Sequence, residues 1–264
     1  MTRAWRVLIV GRGRLGSSLA RALHRRGAHV ASWAGRGRWP RVAPPIDVVL
    51  VAVADPHVPA IAARLAPLLA ARTPVLHASG ALSIDALAAL APRPLGVLHP
   101  LVSFASRRAP RLEGTTVVID GAPAAVRAAR RVARLLAMRA LVRPLHGPRY
   151  HAAAALVANG AAALAHEAVR VLDTLGLPQR DAQRAIGALL GTVADNVARI
   201  GVPAALTGPV VRGDAGAVAR HRAALDPRAR RAYDAVLPVI VEVAREAGLA
   251  PAQARAIERA HQRK

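Results

Sequence analysis

The chain contains no cysteine. That excludes a disulfide framework, thiolate metal ligands and a cysteine nucleophile. Aromatic residues make up 2% of 264 positions, with three Trp, two Tyr and one Phe. Proteins that bind single-stranded nucleic acid stack bases on such rings, and here there are few to offer. Lysine is nearly absent as well. Lys264 is the only one, so the other cationic side chains are arginine. No run of 18 apolar residues occurs, the length a membrane helix needs. The longest, 152–165, is mostly alanine and carries Asn159, so no membrane span is expected. The opening residues lack a charged-then-apolar leader, because their apolar run ends after Val10. A cytoplasmic globular protein is the expectation.

Acidic residues are also scarce, 15 against 38 basic ones, for a net charge of +23. Residues 1–149 carry +18 of it and residues 150–264 carry +5. The arginines are spread along the chain instead of forming one cluster, which reads as an alanine- and arginine-rich background and predicts no nucleic-acid partner. The excess in the first half would still attract a polyanionic cofactor. The ten histidines show no spacing that would bring two onto one helix face, so no metal site is expected. Neither a Gly-x-Ser-x-Gly elbow nor a Gly-Lys-Ser/Thr phosphate loop is present.

What the chain does have begins at Arg6-Val7-Leu8-Ile9-Val10-Gly11-Arg12-Gly13-Arg14-Leu15-Gly16. A β-branched apolar strand breaks into Gly-x-Gly-x-x-Gly and continues into Leu19, Ala20 and Leu23 at helical spacing. This pattern is the fingerprint of a dinucleotide-binding turn. Gly11 permits the turn, Gly13 lets a pyrophosphate reach the backbone, and Gly16 lets the helix pack closely. The new helix offers free N–H groups and a positive dipole end to the phosphates. Arg12, Arg14 and Leu15 complete the run.

Strands are predicted at 7–10, 29–33, 48–53, 75–78, 95–98 and 116–119, alternating with helices at 15–26, 58–71, 84–90 and 124–136. That alternation predicts an α/β fold with a parallel sheet. After about Pro148 only helices are predicted, at 150–175, 181–200, 215–225, 227–248 and 251–262, with Asp214, Asp226 and Pro227 as start signals. The expected division is a nucleotide-binding domain over 1–148 and an all-helical domain over 149–264. Gly187-x-x-x-Gly191 predicts a close helix contact.

NAD-preferring domains of this type carry a carboxylate about 20 residues past the glycines. Here that region reads Ala31-Ser32-Trp33-Ala34-Gly35-Arg36-Gly37-Arg38, with no acid. A hydroxyl at Ser32 and a guanidinium at Arg36 suit a 2′-phosphate, which predicts NADP(H). Ligands lie beyond the carboxyl ends of such strands. Those ends carry Ala54-Asp55-Pro56-His57, His77-Ala78-Ser79-Gly80 and His99-Pro100-Leu101. Ser79 either shapes a turn or contacts the nicotinamide or substrate. The helical half adds Tyr150-His151, Asn159 in an apolar stripe (read as a buried amide that demands partners) and the loop 206–214 containing Arg212.

Together these runs resemble the Rossmann-like proteins with a DUF2520 C-terminal domain. That family is related to pyrroline-5-carboxylate reductase, ketopantoate reductase and deazaflavin-dependent NADP oxidoreductase. The matching runs are the glycine turn, His77-Ala78-Ser79-Gly80-Ala81-Leu82, His99-Pro100-Leu101-Val102-Ser103-Phe104-Ala105, Tyr150-His151-Ala152-Ala153, Asn159, Leu206-Thr207-Gly208-Pro209 with Arg212-Gly213-Asp214, and His221. The resemblance implies a helical domain of the 6-phosphogluconate dehydrogenase type, a homodimer through the helices, and NADPH as cofactor. It leaves a second, deazaflavin redox partner open. Ketopantoate reductase and the β-hydroxyacid dehydrogenases place a lysine four residues before an asparagine on the first interdomain helix. Counted back from Asn159 that position is Ala155. His99, Tyr150 or His151 must then supply the proton, or the substrate is an imine that arrives protonated.

The resulting expectation is an NADPH-dependent reductase of a small carbonyl or imine held between the domains. Gly11, Arg12, Gly13, Arg14, Leu15, Gly16, Ser32, Arg36, Ala54 and Ser79 would bind cofactor. His99, Tyr150, Asn159 and Arg212 would act on substrate. The alternative is a non-catalytic dinucleotide-binding sensor or scaffold.

Overall fold

A computed structural model describes residues 4–40, 45–107 and 110–262. The chain divides into two compact units, Met1–Ala155 and Leu156–Lys264.

The first unit is built on a sheet of seven strands among the described residues: β1 (Arg6–Val10), β2 (His29–Trp33), β3 (Val48–Val51), β4 (Val75–His77), β5 (Leu95–Pro100), β6 (Thr116–Gly121) and β7 (Arg139–Val142), in the order β2-β1-β3-β4-β5-β6-β7. The first five run parallel. Alternation along β1 sends Val7 and Ile9 to one face and Leu8 and Val10 to the other. α1 (Arg14–Arg25) and α3 (Pro123–Leu135) cover the first face through Leu19, Leu23, Ala129 and Val132. α2 (Val58–Leu65) and a 3-10 segment (Ile84–Leu90) cover the second through Ile61, Leu65, Leu87 and Leu90. With both faces covered, a parallel strand can be apolar throughout, as Val48–Val51 is.

Several sequence expectations change here. β6 runs antiparallel to β5, so the sheet is mixed. β7, absent from the sequence reading, is a mostly exposed edge strand, and its Arg139-Ala140-Leu141-Val142 shows no apolar alternation. The helix expected over 58–71 stops at Leu65, and residues 66–69 continue as turns. The helix expected over 84–90 is a 3-10 segment.

The second unit contains α5 (Gln179–Ile200), α6 (Ala215–Ala224), α7 (Pro227–Glu246) and α8 (Pro251–Gln262), together with most of α4 (Pro148–Thr174). The contact division falls inside α4, seven residues past the expected 148/149 boundary, because the first turns of α4 belong with the sheet. Asp214 accepts from the Ala217 N–H and Asp226 from the N–H groups of Arg228 and Ala229, so both are helix caps. Val218, Leu237, Val241, Leu249 and Ile257 form a small core. Arg170 bridges Glu167 and Asp226, and Glu167 also holds Arg228. By length and composition α4 is apolar enough to cross a membrane, although its apolarity is largely alanine. None of its described residues is buried. Gly187 and Gly191 make no close contact, since a Cβ on either meets nothing within 4 Å.

Candidate functional site

Chain order sets the position of the site. β1 is flanked by β2 on one side and β3 on the other, so the connections leave it in opposite directions and open a crevice at its carboxyl end. The glycine turn lies there. Gly11 has φ +123°, and a Cβ on it would stand 2.2 Å from the Ala52 carbonyl oxygen. A Cβ on Gly16 would stand 2.0 Å from the Gly11 carbonyl oxygen. Gly13 differs from both, because a Cβ there meets nothing within 4 Å. Two glycines therefore close backbone against backbone, while the third leaves open space at the N-terminus of α1. Gly13 is the N-cap of α1 and no side chain caps it.

A cavity of about 450 Å³ opens beside the turn. Gly11, Arg12, Gly13 and Ala54 line it, with Arg36 from the loop after β2 and Arg64 from α2. An open Gly13, an uncapped helix start and two guanidinium groups fit the phosphate-rich half of a dinucleotide. The Arg12 guanidinium donates to the Ser32 carbonyl at 2.6 Å, tying the turn to β2. Ser32 precedes the inward Trp33 on β2, so strand alternation turns its side chain to the opposite face. The Arg14 guanidinium reaches the Ala105 carbonyl at 3.4 Å. Leu15 packs against the core of the α1 face.

A second group of polar residues gathers at the ends of β4 and β5. The Ser79 hydroxyl accepts from the N–H groups of Ala81 and Leu82, both at 3.1 Å, so it shapes the turn after β4. His99 lies over Gly80, where a Cβ would come within 2.8 Å of the ring. His99 Nδ1 and the Tyr150 hydroxyl are 2.8 Å apart, and the two rings meet edge to face. The His151 ring is 6.2 Å from that of His99. The Gly147 N–H donates to the Gly80 carbonyl at 3.0 Å, which brings the start of α4 to this turn. Burial, the nearby His151 and His77 push the His99 pKa down to about 4, against the opposing effect of Asp55. Burial also pushes the Tyr150 hydroxyl up. At neutral pH both groups are uncharged, and the pair can pass or hold one proton. His77 is fully buried, with Nε2 3.1 Å from the Ser83 carbonyl, and its pKa is lowered mainly by burial.

The structure thus brings His99 and Tyr150 together. Asn159 and Arg212 lie in the second unit, and both are exposed. The reading of Asn159 as a buried amide is corrected: α4 has no buried residue, and alanine neighbours on a helix do not make a core. Sequence reasoning missed Arg64. Its only signal was helical spacing, four residues past Ala60 and seven past His57, the residue that precedes α2, and both of these also line the cavity. No His/Cys/Asp/Glu group among the described residues could hold a metal ion.

Residues 115–237 match the family described as Domain of unknown function (DUF2520). No curated protein matches the chain in sequence. Among solved structures, the chain resembles a provisionally named NADP oxidoreductase from Bacteroides fragilis at 18% identity and TM-score 0.72, covering 90% of this chain and 98% of that one. A Thermotoga maritima protein named without an activity is 23% identical with TM-score 0.66, covering 91% and 99%. An imine reductase from Myxococcus stipitatus, solved with NADP+, is 16% identical with TM-score 0.55, covering 98% and 100%. At these identities the likeness establishes the fold, a Rossmann-type sheet followed by a helical region.

Proposed function

We propose, for a chain that carries a DUF2520 region on a Rossmann-type fold, that it is an NADP(H)-dependent oxidoreductase acting on a small carbonyl or imine. The open Gly13 at the start of α1, beside a cavity lined by Arg36, carries this reading. The N–H groups at the start of α1 hold the pyrophosphate, and Arg36 meets the 2′-phosphate with charge-assisted bonds. When bound, the nicotinamide supplies or accepts hydride. Tyr150 holds the proton that the substrate heteroatom gains. Neutral His99 orients the hydroxyl, and the raised Tyr150 pKa keeps it protonated at physiological pH. The Tyr150–His99 pair occupies the role for which no lysine is available. Asn159 and Arg212, both exposed on the helical unit, offer an amide and a guanidinium suited to a polar or carboxylate group.

The partner that best fits the helical unit is a second copy of this chain. Leu156 is 77% exposed and Leu189 58%, on helices that also expose Val157, Leu190 and Val193. Large aliphatic side chains exposed together on one helix, such as Leu156 with Val157 and Leu189 with Leu190, are the kind of surface that marks an interaction site. A homodimer through α4 and α5 is the reading this supports.

The test is titration with NADPH and NADH, followed by turnover on 2-oxo acids and cyclic imines with wild type and Tyr150→Phe. The expected result is preferential NADPH binding in both proteins, with turnover of the variant lower by about 100-fold or more. Absence of NADPH binding in the wild type removes the proposal. NADPH binding with no turnover on any substrate favours a sensor or scaffold instead.

A further inference from the structure

Residues 34–39, which follow β2, are held by contacts that neither the glycine turn nor Arg36 supplies. Trp39 folds back so that its indole N–H donates to the Ala34 carbonyl at 2.7 Å, with its ring 5.3 Å from that of Trp33. Arg64, reaching across from α2, stacks its guanidinium 3.9 Å from the Trp39 ring centroid. The same guanidinium donates to the Gly35 carbonyl at 3.2 Å and to the Gly37 carbonyl at 2.8 Å. Those carbonyls belong to the residues on either side of Arg36. Gly35 lies so close to Val53 that a Cβ would meet its Cγ1 at 3.1 Å, and Gly37 takes φ +90°. The backbone of residues 35–37 therefore lies against Val53, just past β3, and is clamped by one side chain. These two bonds use two of the five donors that a guanidinium carries, and Arg64 lines the same cavity as Arg36.

Resting on the dinucleotide reading above, we propose that Arg64 is a specificity-determining residue for a 2′-phosphorylated adenosine ribose, acting with Trp39 to fix the loop that presents Arg36. A planar fork stacked on an indole can hold two backbone carbonyls and still add positive charge to the cavity wall. An ammonium lacks the planar fork that donates to both carbonyls in one plane while its face stacks on the ring. A nucleotide lacking the 2′-phosphate makes no use of the clamped loop, so its affinity depends on the glycine turn alone.

The experiment is calorimetric titration of the full chain with NADPH and NADH, comparing wild type, Arg64→Met, Arg64→Lys and Trp39→Leu. Wild type is expected to hold NADPH more tightly than NADH. Arg64→Met should weaken NADPH by about tenfold, the loss of one charge-assisted contact, while NADH changes by less than about twofold on the same scale. Arg64→Lys should not restore the preference. Trp39→Leu, which removes the stack and the indole bond to Ala34 but leaves the Arg64 bonds to Gly35 and Gly37, should show the same selective loss. A merely structural defect would weaken both nucleotides together. An unchanged NADPH-to-NADH ratio in Arg64→Met or in Trp39→Leu overturns the proposal, so misfolding of one variant leaves the other as the test. A wild type that binds both nucleotides equally overturns it while leaving the dinucleotide reading intact. A wild type that binds neither overturns both.

Discussion

The two units treat their apolar residues in opposite ways. In the sheet unit β3 buries all four of its residues and α1 buries five of its twelve. Of the two long helices beyond it, α4, which enters the helical unit at Leu156, buries none of 27 and α5 only Ala182 of 22. A sheet covered on both faces satisfies its hydrophobic residues within one chain. Two long helices instead leave aliphatic side chains such as Leu156 and Leu189 in water. The contrast also extends to polar chemistry. Each unit pairs one histidine with one tyrosine, His99 with Tyr150 at 2.8 Å and His221 with Tyr233 at 3.4 Å. In the first of these pairs, burial pushes the His99 pKa down to about 4.

The largest expected effect breaks the sheet unit at its turn. Gly11→Ala forces a Cβ to within 2.2 Å of a backbone oxygen at φ +123°, and should destabilise the unit by about 3 kcal/mol or more. Gly13→Ala has open space, and should change stability by less than about 1 kcal/mol. It should still weaken NADPH by about tenfold or more, because the methyl holds phosphate away from the N–H groups. Thermal melts beside titrations separate the two outcomes, and equal stability loss in both variants would refute the division of roles.

Next comes the exposed face of the helical unit. Leu156→Asp and Leu189→Asp should each weaken self-association by about 30-fold or more, a hot-spot effect. Light scattering at micromolar concentration should show a dimer for wild type and a monomer for the double variant. A wild type that is already monomeric would mean that something other than a second copy covers α4 and α5.

The smallest effect sharpens the contrast by pH. The His99 pKa is lowered from 6.5 to about 4, so the unfolded chain binds its proton first. Stability from this group is full above pH 6.5 and declines as pH falls towards 4. In the helical unit arginines hold Glu167, Asp226 and Asp234 below their ordinary values. Their contribution is full above the ordinary carboxylate values of 4.5 and 3.8 and is lost only as pH falls through the lowered ones. The three tryptophans, Trp5, Trp33 and Trp39, lie in the sheet unit. Their fluorescence should therefore report an acid transition at higher pH than helical circular dichroism does. His99→Gln should move the fluorescence transition to lower pH, and coincident transitions in both proteins would count against the assignment.

Much of this was legible from the sequence. The glycine turn, five parallel strands and five C-terminal helices follow from local pattern, since apolar period and capping residues act within a few positions. Asp214 and Asp226 are caps in the structure as in the sequence reading. β7 was not legible, because a short exposed edge strand carries no alternation. The reversal of β6 was not legible either, because strand direction is set by the connection and not by composition. Asn159 was misjudged since an alanine-rich stripe looks like a core whether or not anything covers it.

The sequence by itself determined that a nucleotide-type turn stands at the head of an α/β unit followed by helices, for those signals are written in neighbouring residues. Only the tertiary structure decided which glycine is open, that His99 lies on Gly80 within reach of Tyr150, and that Arg64 clamps the loop around Arg36. Those pairings join residues 19 to 51 positions apart in the chain, and at such separations contact is set by how the sheet and its helices pack.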